Sequence, residues 1–131
     1  MIKQDYLIRM ILEIITLIAN ALLNKQKIRS QNWVEYDCLT QQILELPTDK
    51  LINMLPEEIV DKYEKDLNAM GKIELAAMTL LKVSYEMDNE QLVLKTLLKA
   101  NGLNLLKKVQ NESNTFSMQR MALIQALENN F

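Results

Sequence analysis

The residue with the strongest nucleophilic chemistry in this sequence is Cys38, the single cysteine of a chain that contains no histidine. A catalytic thiol needs a neighbouring base or cation to hold it as thiolate, and Ser–His or Cys–His catalysis needs an imidazole. Cys38 lies in a segment with helical apolar spacing, so we expect a buried, inert thiol and no enzymatic activity. One cysteine allows no intrachain disulfide, which favours the reducing cytoplasm.

A short acidic run is the best candidate for a metal site. Its members are Glu57, Glu58, Asp61 and Glu64. Carboxylates can gather a hard cation, but calcium sites use a loop with a glycine, and this run follows Pro56 in a helical pattern. We therefore interpret it as a solvated helix face and expect neither a metal nor a cofactor.

Charge is unevenly distributed, although the net charge is only −2. Residues 45–66 hold seven acidic and three basic residues, a balance of −4, whereas residues 92–120 hold five basic and one acidic, a balance of +4. Nucleic-acid binders neutralise phosphates with an excess of Lys and Arg, so we expect no nucleic-acid partner. The two segments are either solvated helix faces or surfaces that dock on each other, within one chain or between two.

The composition predicts an all-α fold. The 131 residues are 49% apolar and 24% charged, with only two Gly and two Pro, too few for the many turns of a β-rich fold. This length fits one domain covering residues 1–131, and no stretch of the sequence is long enough to be a linker.

The first 24 residues, MIKQDYLIRMILEIITLIANALLN, raise the question of a signal peptide or membrane anchor. Asp5, Arg9 and Glu13 interrupt the apolar stretch, which argues against a secretory signal. The longest uncharged run, residues 14–24, is eleven residues, whereas a membrane span needs about 18. We therefore expect no export signal and no membrane span.

Placed on a helix, the same residues divide into one polar stripe and two apolar seams. The polar stripe contains Asp5, Arg9, Glu13, Thr16, Asn20 and Asn24. One seam contains Leu7, Met10, Ile14, Leu17 and Ala21, and the other contains Ile8, Ile11, Ile15, Ile18 and Leu22. A helix that is apolar on two sides is a core helix, and it needs two partners.

A short chain with polar neighbours such as residues 56–66 is expected to cover only one seam, and exposed apolar patches of that size mark interaction sites. We therefore predict a homodimer, with a further protein partner left open and with the first helix at or near the interface. The candidate interface residues are Leu7, Met10, Ile11, Ile14, Ile15, Leu17, Ile18 and Leu22.

Six or seven helices are predicted in all, as antiparallel hairpins stacked around the long N-terminal helix. After a first loop at residues 25–30, a helix capped by Ser30 or Asn32 runs to about Leu46 and ends at Pro47. The pattern then predicts a helix from Thr48 through Leu55 and one from Pro56 to about Asp66. A long helix from about 67 to 87 has an apolar stripe of Ile73, Ala76, Ala77, Leu80 and Leu81. The last two helices are predicted from about Glu90, with an end or a bend at Asn101-Gly102, and from Phe116 to about Glu128 after a Thr115 cap.

Two local patterns resemble tetratricopeptide-type repeats. Asn32-Trp33 and the stretch DNEQ at 88–91 each open a helix as the second helix of that repeat does, and Ala76, Ala77 and Ala100 fall near its small-residue positions. The resemblance covers about residues 67–110 and, more faintly, 30–46. It implies a helical hairpin that is stable only when a neighbour covers its faces.

The start of the chain, MIKQDYLIRMI followed by a long amphipathic helix, resembles a family of small uncharacterised all-helical bacterial proteins with such a hairpin. That resemblance implies an all-α fold and does not point to any particular activity. From these observations we expect a cytoplasmic, non-enzymatic protein–protein interaction module that self-associates. The alternative is a helical pocket protein that binds an apolar small molecule or acyl chain.

Overall fold

The computed structural model describes residues 3–129 and confirms the all-α fold. Within that range the chain forms seven α-helices, a 3₁₀ helix at Asn89–Gln91, and no strand. The α-helices are α1 (Gln4–Leu23), α2 (Ser30–Leu44), α3 (Thr48–Leu51), α4 (Pro56–Tyr63), α5 (Ala69–Glu86), α6 (Leu92–Glu112) and α7 (Met118–Glu128).

Helix α5 lies at the centre of the fold, in contact with α1, α2, α3, α4 and α6. Its predicted stripe is buried, and the opposite side is buried as well because Leu75 and Met78 complete the apolar circumference. A helix that is apolar all round has to be surrounded by other helices. The buried members of the stripe are Ile73, Ala76, Ala77, Leu80 and Leu81.

Helices α5 and α6 form the closest helix pair, and Gly102 makes this approach possible. A Cβ at Gly102 would lie 2.7 Å from Cγ of Leu81 and 3.1 Å from the carbonyl oxygen of Ala77. The helix therefore continues through Asn101-Gly102 without ending there, and the glycine serves packing between α5 and α6.

The helix ends differ from the predicted ones where local hydrogen bonds decide them. Helix α2 stops at Leu44 because Glu45 adopts a left-handed conformation with φ of 53°. Helix α7 begins at Met118 and not at Phe116, because the Ser117 hydroxyl accepts the backbone N–H of Arg120 at 3.1 Å. Thr115 is thus not the cap that the sequence predicts.

The prediction of a buried Cys38 is wrong. Helix α2 turns Trp33, Thr40 and Ile43 towards the core and places Cys38 on the outer face, beside the exposed Val34. Helical spacing identifies which residues share a face, but a weakly amphipathic helix does not show how far burial extends around it.

Candidate functional site

The structure buries most of the residues predicted as an interface. Five of the eight lie in the hydrophobic core, where other helices of the same chain cover them: Ile11, Ile14, Ile15, Ile18 and Leu22. The other three, Leu7, Met10 and Leu17, are partly buried, and the whole polar stripe of α1 is exposed as predicted. The most exposed apolar side chains of α1 lie outside the predicted set.

Two such side chains lie on one edge of α1, in its N-terminal half. Ile8 is 40% exposed and Leu12, one turn further along, is 57% exposed. They form one wall of an open cleft of about 260 Å³ between α1, the start of α5 and the end of α6, which we call the N-terminal cleft. Its lining is Ile8, Ile11, Leu12, Ile15, Asn68, Met70, Gly71, Glu74, Val109, Ser113 and Thr115.

Two further large apolar side chains are exposed at residues next in sequence to the lining of the cleft. Leu67, next to Asn68 in the lining, is 94% exposed, and Phe116, next to Thr115, is 68% exposed. We refer to Ile8, Leu12, Leu67 and Phe116 as the N-terminal rim. Single exposed hydrophobic residues are ordinary, but two that line an apolar cleft, with two more next in sequence to its lining, are typical of an interaction surface.

A buried ion pair closes the base of this region. Nη1 of Arg120 lies 3.4 Å from Oε2 of Glu74, and the side chains are 4% and 12% exposed. The guanidinium also donates from Nε to Oε1 of Gln110 at 2.8 Å and from Nη2 to the carbonyl oxygen of Thr115 at 2.9 Å. Arg120 thereby ties α5, α6 and the loop before α7 together.

Burial raises the pKa of the Glu74 carboxyl, and the charge and hydrogen bond of Arg120 offset part of that increase. The sequence analysis did not identify Glu74, because this residue lies outside the apolar stripe of α5. A usable signal was present: α5 is apolar all round, so a charged residue within it has to find a partner. The partner is 46 residues away in sequence, and the pattern could not identify it.

A second opening lies at the other end of the same helices. We call it the hairpin pocket, a cavity of about 200 Å³ beside the turn between α5 and α6. Leu22, Leu81 and Leu127 form its apolar part, and Lys95 and Lys99 are its charged residues. The remaining lining residues are Ser84, Tyr85, Leu92 and Thr96.

The acidic and basic segments meet within the chain, since α4 packs against α6. Glu57 and Asp61 line the same shallow cleft as Lys108, whose ammonium pairs with Glu112 of its own helix at 2.6 Å. Among residues 3–129 there is no group of three or more His, Cys, Asp or Glu side chains arranged to hold a metal ion.

Lys82 is a further buried charged residue, and contacts within the chain stabilise its ammonium. Its ammonium lies 4.4 Å from the ring centroid of Trp33 and 2.8 Å from Oε1 of Glu86. The other carboxylate oxygen of Glu86 accepts the backbone N–H of Ile28 at 3.2 Å. This set joins α2 and the preceding loop to α5, as a cation–π contact and an ion pair can do.

Helix α1 is long and apolar enough to cross a membrane by length and composition alone, with a mean hydropathy of 1.9. This is weak evidence, because the core helices of soluble proteins and signal sequences pass the same test. Within the most apolar 18-residue window of α1, a share of 33% is buried by the rest of the chain.

No protein family model, curated protein or solved structure matches this chain. The tetratricopeptide-type and bacterial-family resemblances therefore stay predictions.

Proposed function

We propose that this protein is a non-enzymatic interaction module that self-associates as a two-fold symmetric homodimer through the N-terminal rim. The observation that carries the proposal is the exposure of Ile8 and Leu12 along one apolar cleft, with Leu67 and Phe116 exposed next in sequence to lining residues. Burying these side chains against a second copy removes apolar area from water, the main driving force for association.

The cleft supplies a place for an anchor residue. In a two-fold interface each surface meets its own copy, so the partner's Phe116 would enter the cleft between Leu12 and Met70 while Phe116 enters the partner's cleft. Aromatic side chains seated in pockets carry much of the energy of protein interfaces. The volume of about 260 Å³ leaves room for one aromatic side chain.

The border of the surface also fits an interface. Asp5 and Arg9 lie next to Ile8 and Leu12 on the exposed stripe of α1. Interfaces between soluble proteins commonly have an apolar centre and a polar, hydrated periphery. The Arg120 network holds the loop that carries Phe116, so the anchor is attached to a fixed element.

The test compares variants of the rim with variants elsewhere. Leu12→Glu and Phe116→Ala are expected to give a folded monomer, because each removes apolar contact area and the first also places a charge in the interface. Multi-angle light scattering gives the mass, and circular dichroism shows that the helices remain. The matched control is Val93→Glu, at an α6 residue that is 87% exposed and outside the rim; this variant should stay dimeric.

Two variants on the predicted seams of α1 separate folding from association. Ile15 is 7% exposed, so Ile15→Glu is expected to unfold the chain, whereas Leu17→Glu, at a partly buried residue outside the rim, is expected to fold and to remain dimeric. A folded monomer with Leu17→Glu, together with a dimer for Leu12→Glu, would move the interface to the other seam and contradict the proposal.

A further inference from the structure

The lining of the N-terminal cleft contains a single ionisable side chain, that of Glu74. Its Oε2 accepts from Nη1 of Arg120 at 3.4 Å. Its other oxygen, Oε1, has no hydrogen bond within residues 3–129, and no buried side-chain nitrogen or oxygen in that range lacks a partner. Oε1 is therefore not fully buried and still meets water. Because Glu74 lines the cleft, the cleft is the opening through which this water reaches it.

One charged group acts on Glu74 from the elements around it. Arg120, from α7, is the only group in residues 3–129 whose charge or hydrogen bond affects the pKa of Glu74, besides burial itself. The lining residues from α1, from the end of α6 and from the loop before α7 are all uncharged. On α5 itself, Lys72 pairs with Asp66 at 3.0 Å. Protonation of Glu74 therefore changes the charge of the cleft directly.

Filling the cleft would remove the water at Oε1. The phenyl ring of the partner's Phe116 has no hydrogen-bond donor to take its place. An ionised carboxylate loses solvation in that step, whereas a protonated carboxyl loses much less. The attraction to Arg120 grows as water leaves, but the cost of desolvating a buried ion pair can exceed that gain. On this balance, association favours the protonated form of Glu74.

We propose that Glu74 takes up a proton when the homodimer forms, so that acidification strengthens self-association. The inference rests on the proposed function, because it needs the partner's Phe116 in the cleft. Each dimer contains two such carboxyls, one in each protomer. A group with a higher pKa in the dimer than in the single chain favours the dimer at low pH. That advantage is lost as the pH rises through the pKa in the dimer.

The test compares the dissociation constant Kd of the dimer for the unmodified chain and for Glu74→Gln, which keeps the size and polarity of the side chain but cannot ionise. Sedimentation measures Kd from the ordinary glutamate pKa of 4.5 to above neutral pH. The Kd of the unmodified chain, divided by that of the variant, should increase about tenfold over this range, as it does when each carboxyl shifts by about half a unit. The ratio is the readout, because other carboxylates titrate in both proteins.

Asp5→Asn is the matched control, because it removes an acidic residue on the border of the N-terminal rim that is not part of the cleft lining. It should keep the pH dependence of the unmodified chain. A second measurement needs no variant. Calorimetric dilution of the unmodified dimer, in buffers of different ionisation enthalpy, should show that protons are released on dissociation.

The outcomes separate the coupling from the dimer itself. A Kd ratio that stays constant with pH would overturn the coupling and leave the homodimer in place. Dissociation without proton release would do the same, as would a pH dependence that Asp5→Asn removes and Glu74→Gln does not. A chain that is monomeric at every pH would overturn the proposed function, and the coupling with it.

Discussion

The N-terminal cleft and the hairpin pocket lie at opposite ends of the same three helices, α1, α5 and α6. At the first, Glu74 and Arg120 form a buried ion pair, and the exposed side chains of Ile8 and Leu12 line the opening. At the second, three leucines form the apolar wall, and Lys95 donates to the Met87 carbonyl and to Oδ1 of Asn89. Both openings have apolar walls, and they differ in the charged groups beside them.

The largest expected effect comes from removing the charge match at the N-terminal end. Arg120→Ala leaves Glu74 buried without its partner and removes the donors to Gln110 and to the Thr115 carbonyl. Breaking a buried pair by removing one partner costs several kcal/mol, so we expect a loss of roughly 3 kcal/mol in the free energy of unfolding. Urea unfolding followed by circular dichroism measures it.

Lys107→Ala is the control for that experiment, because its ion pair with Glu128 is between side chains that are each 46% exposed. Exposed pairs contribute about 0–1 kcal/mol, so its unfolding curve should move little. If both variants lose the same free energy, the Arg120 network does not hold the N-terminal end together as described.

The next largest effect concerns the close approach of α5 and α6 at Gly102, which lies between the two openings. Gly102→Ala gains helix propensity but drives a Cβ against Leu81 and the carbonyl of Ala77, so we expect a net loss of roughly 1–2 kcal/mol. Gly71→Ala, at the N-terminal cleft, meets the side chain of Asn68 at 2.8 Å. That side chain can rotate away, and the variant should be unchanged or more stable. Thermal unfolding measures the change in stability of each variant. Equal losses of stability would contradict the packing role of Gly102.

Periodicity predicted the helices because apolar spacing follows from the geometry of a single helix. It found α1 and the buried stripe of α5, and Pro56 marked the start of α4. Periodicity could not find features that depend on contacts between distant segments. Two such features are the Glu74–Arg120 pair and the position of Cys38 on the outer face of α2. The passage of α6 through Gly102 also depended on Leu81, a residue of another helix.

A smaller effect should appear in the pH dependence of stability. Burial holds the pKa of Glu74 above its ordinary value of 4.5, so the folded chain retains a proton there that the unfolded chain has lost. The contribution of Glu74 is therefore largest at low pH and decreases as the pH rises through the raised pKa. Relative to Glu74→Gln, the unmodified protein should lose stability as the pH rises from the ordinary pKa of 4.5 through the raised pKa of Glu74.

Urea unfolding of both proteins at several pH values measures that difference. The difference in unfolding free energy between the two proteins should change over this pH range and stay constant above it. A difference that grows in favour of the unmodified protein as pH rises would mean that the charge of Arg120 outweighs burial, so that the pKa of Glu74 is lowered.

Self-association through the N-terminal rim is the central claim, and the mass of the unmodified protein in solution tests it most directly. Light scattering across a range of concentrations should give a mass twice the chain mass of 15.2 kDa, decreasing towards one chain on dilution. A mass of one chain at tens of micromolar and above would contradict the account, and would make Ile8, Leu12, Leu67 and Phe116 exposed residues of a monomer.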